Sequence, residues 1–419
     1  MTTAVSADWV VPVDGPPLEE GYVAWEDGRI VEVSRGRAER HFPGAAIVPG
    51  LVNAHSHLEY AVYGGFGDGA PFSSWLALHI ERKARLDLPA MEAIARLGAA
   101  ECLASGITTV GDASYAGAAA TACAELGLRG LVYLEVFGAT AEQIATRYEA
   151  NRDRLGGSLP ERVRLGISPH SLYTASLELW RAAAELGVPI ATHLAESQAE
   201  VDWIRRREGP FKRLGVAVEP VSLAELDAHG LLTDRIAAAH CVKLDASELE
   251  LLARRDVAVV HCPRSNAYLG CGIAPLAEMR AKGLRIGLGT DGPASAPSFD
   301  LFDEMRAAIL AARAREERAD ALTARDALAL ATLGSARVLG FDSEVGSLTP
   351  GKRADLAVVS VAGSPYDPVE EPAVAVVFGG SPAKVLETIV DGQTRYRQGE
   401  TTWHEVRSTA SAARRRMLA

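Results

Sequence analysis

The sequence predicts an α/β fold, a (β/α)₈ TIM-type barrel joined to a small β-sandwich domain made from both chain ends. Three observations carry that expectation. Eight short apolar runs alternate with longer amphipathic segments, potential metal ligands stand at the ends of five of those runs, and the two ends of the chain are richer in β signals than its middle. At 419 residues the chain is too long for one ordinary core and long enough for a barrel with a second domain.

The eight strand candidates are residues 51–57, 107–112, 131–137, 163–169, 189–194, 236–240, 257–261 and 285–291. Helical segments follow several of them, as at 177–186, 247–255 and 302–315. Eight parallel repeats point to a closed cylinder, because an open doubly wound sheet usually stops at about five or six strands. Near the N-terminus, 21–25 and 30–33 flank Asp27-Gly28, whose positive-φ preference suits a tight hairpin. At the other end 354–361 and 374–377 are again β-rich, and Asp391-Gly392 is another turn. The expected organisation is a β domain from 1–49 and 344–405, a barrel over 50–343 and a tail helix over 406–419.

Composition narrows the function. Acidic residues outnumber basic ones, 54 to 43, for a net charge of −11, which argues against a polyphosphate partner. The basic run Arg414–Arg416 reads as a solvated helix end or an anion patch. No apolar run reaches the ~20 residues that span a bilayer. Residues 1–13 lack a basic n-region, so no secretory signal is expected. Cys102, Cys123, Cys241, Cys262 and Cys271 are odd in number and lack paired spacing, which suits reduced cysteines in the cytoplasm.

Barrel sites form where strands end. His55 and His57 are two apart on the first strand and therefore share a face, which suits neighbouring positions around one ion. His193 ends the fifth strand, His240 the sixth, His261 the seventh and Asp291 the eighth. A buried carboxylate such as Asp291 needs a cation or strong donors, although a turn or cap aspartate is the plainer reading. Glu196, three residues past His193, stands where a proton shuttle must stand, or else is a solvent-facing glutamate in a loop that also holds Glu200. His261 reads as a core histidine. Nitrogen and oxygen ligands without thiolate suit one Zn²⁺, or Fe²⁺ as second choice.

These residues resemble the amidohydrolase superfamily, in its aminohydrolase branch of nucleobase and nucleoside deaminases and triazine hydrolases. The matching stretches are Pro49-Gly50-Leu51-Val52-Asn53-Ala54-His55-Ser56-His57, Thr192-His193-Leu194-Ala195-Glu196, Ala239-His240-Cys241, His261-Cys262-Pro263-Arg264-Ser265-Asn266, Gly289-Thr290-Asp291-Gly292 and Gly346–Leu356. The resemblance implies one ion on His55, His57, His193 and Asp291. The fourth strand ends in Ser168-Pro169-His170 without a lysine, so a carbamylated-lysine binuclear site is not expected. It also implies hydrolytic deamination of a heteroaromatic ring, with Asp291 and His240 taking a proton from water and Glu196 protonating the ring. A catalytically silent metal-binding barrel is the rival reading.

For substrate contacts, Trp75 is read as stacking on a ring or as a buried helix residue, and His79 shares its helix face. His170 and Tyr173 follow the fourth strand and face a ribose or ring, or form a structural turn. Arg264 meets an anionic group or pairs with a local carboxylate, with Asn266 beside it. The stretch from Asn53 to Tyr60, with Phe72 and Trp75, is similar to aminodeoxyfutalosine deaminases of menaquinone synthesis, which makes that nucleoside the first substrate expectation. S-adenosylhomocysteine, methylthioadenosine and triazines come next. The expected partners are a small heteroaromatic substrate and, as an open option, a second copy of the chain in a homodimer. His41 and His404 are placed in the terminal β regions, and His229 at a helix end.

Overall fold

The computed structural model describes residues 2–157, 159–213, 218–363 and 365–419. Its centre is a sheet of eight parallel strands in chain order: Leu51–Ser56, Ile107–Ser114, Arg129–Val136, Val163–Pro169, Ile190–Leu194, Ile236–His240, Ala258–His261 and Ile286–Leu288. A bridge between Ser56 and Asp291 brings the last strand back to the first, and the Asp291 N–H donates to the His55 carbonyl at 3.0 Å. Gly289 permits that approach, because a Cβ there would lie 2.7 Å from the Cβ of His55. The sheet therefore closes as a barrel.

Side chains fill the cylinder rather than leaving a pore. Tyr133 is the large residue of this plug, packed among Val52, Leu131, Val260 and the small Ala191, Ala237 and Ala258. Gly166 makes room for its ring, since a Cβ would meet Tyr133 at 2.6 Å. The plug closes the bottom and leaves the strands' C-terminal ends to frame a cavity.

Seven strands from the two chain ends, among them Thr3–Val10, Arg40–Pro49, Leu356–Ser360 and Val385–Val390, form one hydrogen-bonded sheet. This is the small β domain expected from both chain ends, with Val5, Val23, Ile47, Leu356 and Ile389 packed into a core of its own. One expected β segment folds differently. Residues 374–377 lie in the helix Pro372–Gly379, where Glu371 caps Ala373 and Pro372 takes the first turn. These N-terminal signals outweigh the β propensity of the valines. His404 likewise opens the tail helix His404–Leu418 rather than lying in a strand.

Arg129, at the base of the third barrel strand, joins the two sheets. Its guanidinium, 1% exposed, reaches Asp355 at 3.2 Å and Asp391 at 2.6 Å. Removing one member of such a buried set costs about 3–5 kcal/mol, because the remaining charge is stranded. Asp355 belongs to the Gly346–Leu356 stretch, which gives that motif a physical reason. All five cysteines are free and buried. Among the described residues no helix is long and apolar enough to cross a membrane.

Candidate metal centre and catalytic cavity

His55, His57, His193 and Asp291, drawn from the first, fifth and eighth strands, are all buried, and their ligand atoms lie within 4.8 Å of one another. The tautomers follow from the partners. The His57 Nδ1 donates to the Ala113 carbonyl at 2.7 Å, and the His193 Nδ1 donates to the His170 carbonyl at 2.9 Å. Both Nε2 atoms therefore carry lone pairs toward the centre, and they stand 3.2 Å apart. Burial keeps the rings neutral, lowering His57 to about 3 and His193 well below the usual imidazole range. Two lone pairs at that distance repel unless a cation lies between them.

The remaining ligands fit the same centre. The His55 Nε2 is buried with no hydrogen-bond partner and lies 3.6 Å from Asp291 Oδ1, while His57 Nε2 is 3.3 Å from that oxygen. Asp291 Oδ2 accepts from the Ser265 hydroxyl at 2.8 Å and the Ser295 hydroxyl at 2.5 Å, which leaves Oδ1 for the centre. Burial pushes the Asp291 carboxyl up, but the imidazoles around it, His55 first, outweigh burial and hold it well below the carboxylate range. Three neutral imidazoles and one carboxylate make a donor set for a divalent ion with room for water.

Two proton carriers stand beside it. His240 donates from Nδ1 to the Asn266 amide oxygen at 3.0 Å, which turns a free Nε2 toward Glu196 Oε1 at 3.8 Å. Glu196 is buried, and burial followed by the nearby Asp291 charge raises its pKa well above the carboxylate range. Its backbone N–H and that of Ala195 donate to the Glu200 carboxylate at 2.8 and 2.9 Å, so Glu200 fixes the loop rather than facing solvent. Ala195, His240 and Asp291 all have positive φ, at 48, 71 and 58°. Non-glycine residues in that region carry strain, which concentrates at functional sites.

The cluster opens into a cavity of about 400 Å³, within the size range of small-molecule sites. Trp75 and His79 form one wall, and His170 and Tyr173 another. Trp75 Nε1 donates to the Ala294 carbonyl at 3.1 Å, which holds the indole in place. Two expected substrate contacts lie elsewhere. Arg264 pairs with Glu304 at 2.5 Å and donates to the Ser298 carbonyl at 2.7 Å, because the buried Glu304 carboxylate is its nearest counter-charge. The Asn266 amide oxygen accepts from His240, and the residue does not line the cavity. His261 is buried outside it.

The cavity also holds residues that motif reading passed over: Lys83, Tyr115, Glu135, Phe137 and Arg147. Alternation along the third strand was the available signal. Leu131 and Tyr133 belong to the barrel plug, so Glu135 takes the same inward face at the strand's C-terminal end.

A family model described as the amidohydrolase family matches residues 46–395. The chain belongs to that family. Among its relatives is a 5'-deoxyadenosine deaminase of Methanothermobacter thermautotrophicus, 36% identical over 93% of this chain and 92% of its own length. A 5-methylthioadenosine/S-adenosylhomocysteine deaminase of Symbiobacterium thermophilum is 34% identical over 92% of each chain. The fold matches the zinc-bound structure of an adenosine deaminase from Xanthomonas campestris, with a TM-score of 0.87, 29% identity and coverage of 99% of this chain and 98% of that one. The zinc-bound neighbour and the His/Asp donor set together support a divalent metal.

Proposed function

We propose that this amidohydrolase is a metal-dependent deaminase that hydrolyses the exocyclic amine of an adenine nucleoside altered at its 5' position. The single observation that carries the reading is the buried Glu196 beside the free Nε2 of His240, at the edge of a donor set for one divalent ion. A purely structural metal site requires neither residue. When bound, a divalent ion, with Zn²⁺ as first choice, makes water nucleophilic near neutral pH.

The chain's own groups supply the proton traffic. Asp291 Oδ1 and His240 Nε2 face the same space and take the proton that the attacking water gives up. Glu196 in its acid form donates to the ring nitrogen next to the reacting carbon, then takes the proton of the hydroxyl added to that carbon and passes it to the departing amine, which leaves as ammonia. The proton held by Asp291 and His240 restores the acid. Positioned acid–base transfer of this kind is worth about 10²–10⁴-fold. The indole of Trp75 and the rings of His170 and Tyr173 suit a flat heterocycle.

The relatives favour 5'-deoxyadenosine, methylthioadenosine and S-adenosylhomocysteine as substrates over aminodeoxyfutalosine, the first expectation from sequence. Ammonia release, measured on metal-loaded protein across these four at matched concentration, ranks them. Turnover of at least one adenine nucleoside is the expected result. Stoichiometric metal with no turnover of any of them would support the silent-barrel reading instead.

A further inference from the structure

Glu135 is 2% exposed, lines the cavity, and has no hydrogen-bond partner on either carboxylate oxygen. A buried carboxylate left this way is costly, so both oxygens are acceptors in want of donors. Lys83 shares the cavity and is its complement. Its ammonium lies over the Tyr115 ring at 4.0 Å and reaches the Phe137 ring at 5.7 Å, with neither hydrogen bond nor ion pair among the described residues. The tail of the helix Phe72–Lys83 and the end of the third barrel strand thus put one unspent donor group and one unspent acceptor group into the same space.

A second metal ion does not explain them. Glu135, His170 and His193 come within 4.8 Å of one another, but His193 has spent Nδ1 on a carbonyl and turns Nε2 to the first centre. His170 in turn uses Nδ1 on the Thr174 hydroxyl at 3.1 Å. Glu135 and one imidazole nitrogen are too few for another ion.

We propose that Glu135 and Lys83 form the sugar-recognition pair of this cavity, binding the vicinal hydroxyls of a ribose. The assignment rests on the nucleoside reading above. A carboxylate with both oxygens free accepts two donors side by side, which vicinal hydroxyls present. Each hydroxyl also has lone pairs, so the ammonium, a donor only, completes its bonding. An anionic group would leave Glu135 unmatched and repelled, and a cationic group would do the same to Lys83. A neutral diol satisfies both. The reacting ring fills the metal end, and the sugar is the next group along the same cavity.

The test compares adenosine with 2',3'-dideoxyadenosine on wild-type, Glu135→Gln and Lys83→Met enzyme. Glu135→Gln is expected to lower kcat/KM about 10- to 100-fold on adenosine and to change it little on the dideoxy substrate. Lys83→Met follows in the same sense with a smaller loss. Equal losses on both substrates overturn the assignment. Binding of inosine and 2',3'-dideoxyinosine to the metal-loaded proteins gives a readout without turnover, and melting curves check that the variants fold. Turnover of nucleosides without a Glu135-dependent preference for the diol defeats this pair and leaves the proposed reaction standing. No turnover, with inosine still preferred through Glu135, does the reverse.

Discussion

The two ends of one cavity differ in how far the protein has committed its polar atoms. At the metal end three of the four ligands, and the proton carrier His240, are held from behind: His57 by Ala113, His193 by His170, Asp291 by Ser265 and Ser295, and His240 by Asn266. Only the atoms facing the centre are free. On the Glu135–Lys83 side, which begins within 4.8 Å of His193, neither group has such support from hydrogen bonds among the described residues. Outer partners fix a ligand's tautomer and orientation and raise its affinity for the ion. A site built for one fixed ion is braced in advance, whereas the Glu135–Lys83 side is left to be completed by what enters.

That contrast can be broken at several points. The largest effect is expected from metal removal: chelation should abolish ammonia release, and one equivalent of a divalent ion should restore it. Because the ion binds only the folded chain, its loss should also lower the melting temperature. Ligand at 1,000 times its Kd contributes about 4 kcal/mol. An apo protein with full turnover would remove the metal from the chemistry.

Next comes Glu196→Gln, which should cost about 10²–10⁴ in kcat while metal content stays at one. The pH profile sharpens this. Glu196 has a raised pKa and acts as an acid, so its contribution is present below that pKa and lost as pH rises through it. The wild-type rate should therefore fall on the alkaline side, and the Gln variant should lack that limb. An unchanged alkaline limb in the variant would assign it to another group.

Ser295→Ala should act one step further out, weakening metal affinity about 10- to 100-fold with little change in kcat at saturating metal. Titration against a chelating competitor measures it. The smallest effect on chemistry is expected at Arg264. Arg264→Met should leave kcat/KM of the folded enzyme unchanged, yet destabilise it by about 3–5 kcal/mol by stranding the buried Glu304. A selective loss of turnover at unchanged stability would return Arg264 to the substrate.

The same division governs what could be read in advance. Strand ends at His57, His193, His240 and Asp291 were legible because each follows a short apolar run, and a barrel brings strand ends together. Arg264 and Asn266 sat in an equally suggestive motif, but their side chains turn to Glu304 and His240, and nothing in the local pattern fixes that direction. The segment 374–377 carried strand-like valines, and its helix was decided by Glu371 and Pro372 just upstream.

From sequence alone came the alternating strands and helices and the donor types at the strand ends. These depend on periodicity and on covalent neighbours, so they are local. The meeting of Lys83 with Glu135, the positive-φ turns at Ala195, His240 and Asp291, and the bracing of Asp291 by two serines were settled only by the closed fold. Each depends on groups from different strands and helices arriving at one place, and distance through space is what a linear pattern does not encode.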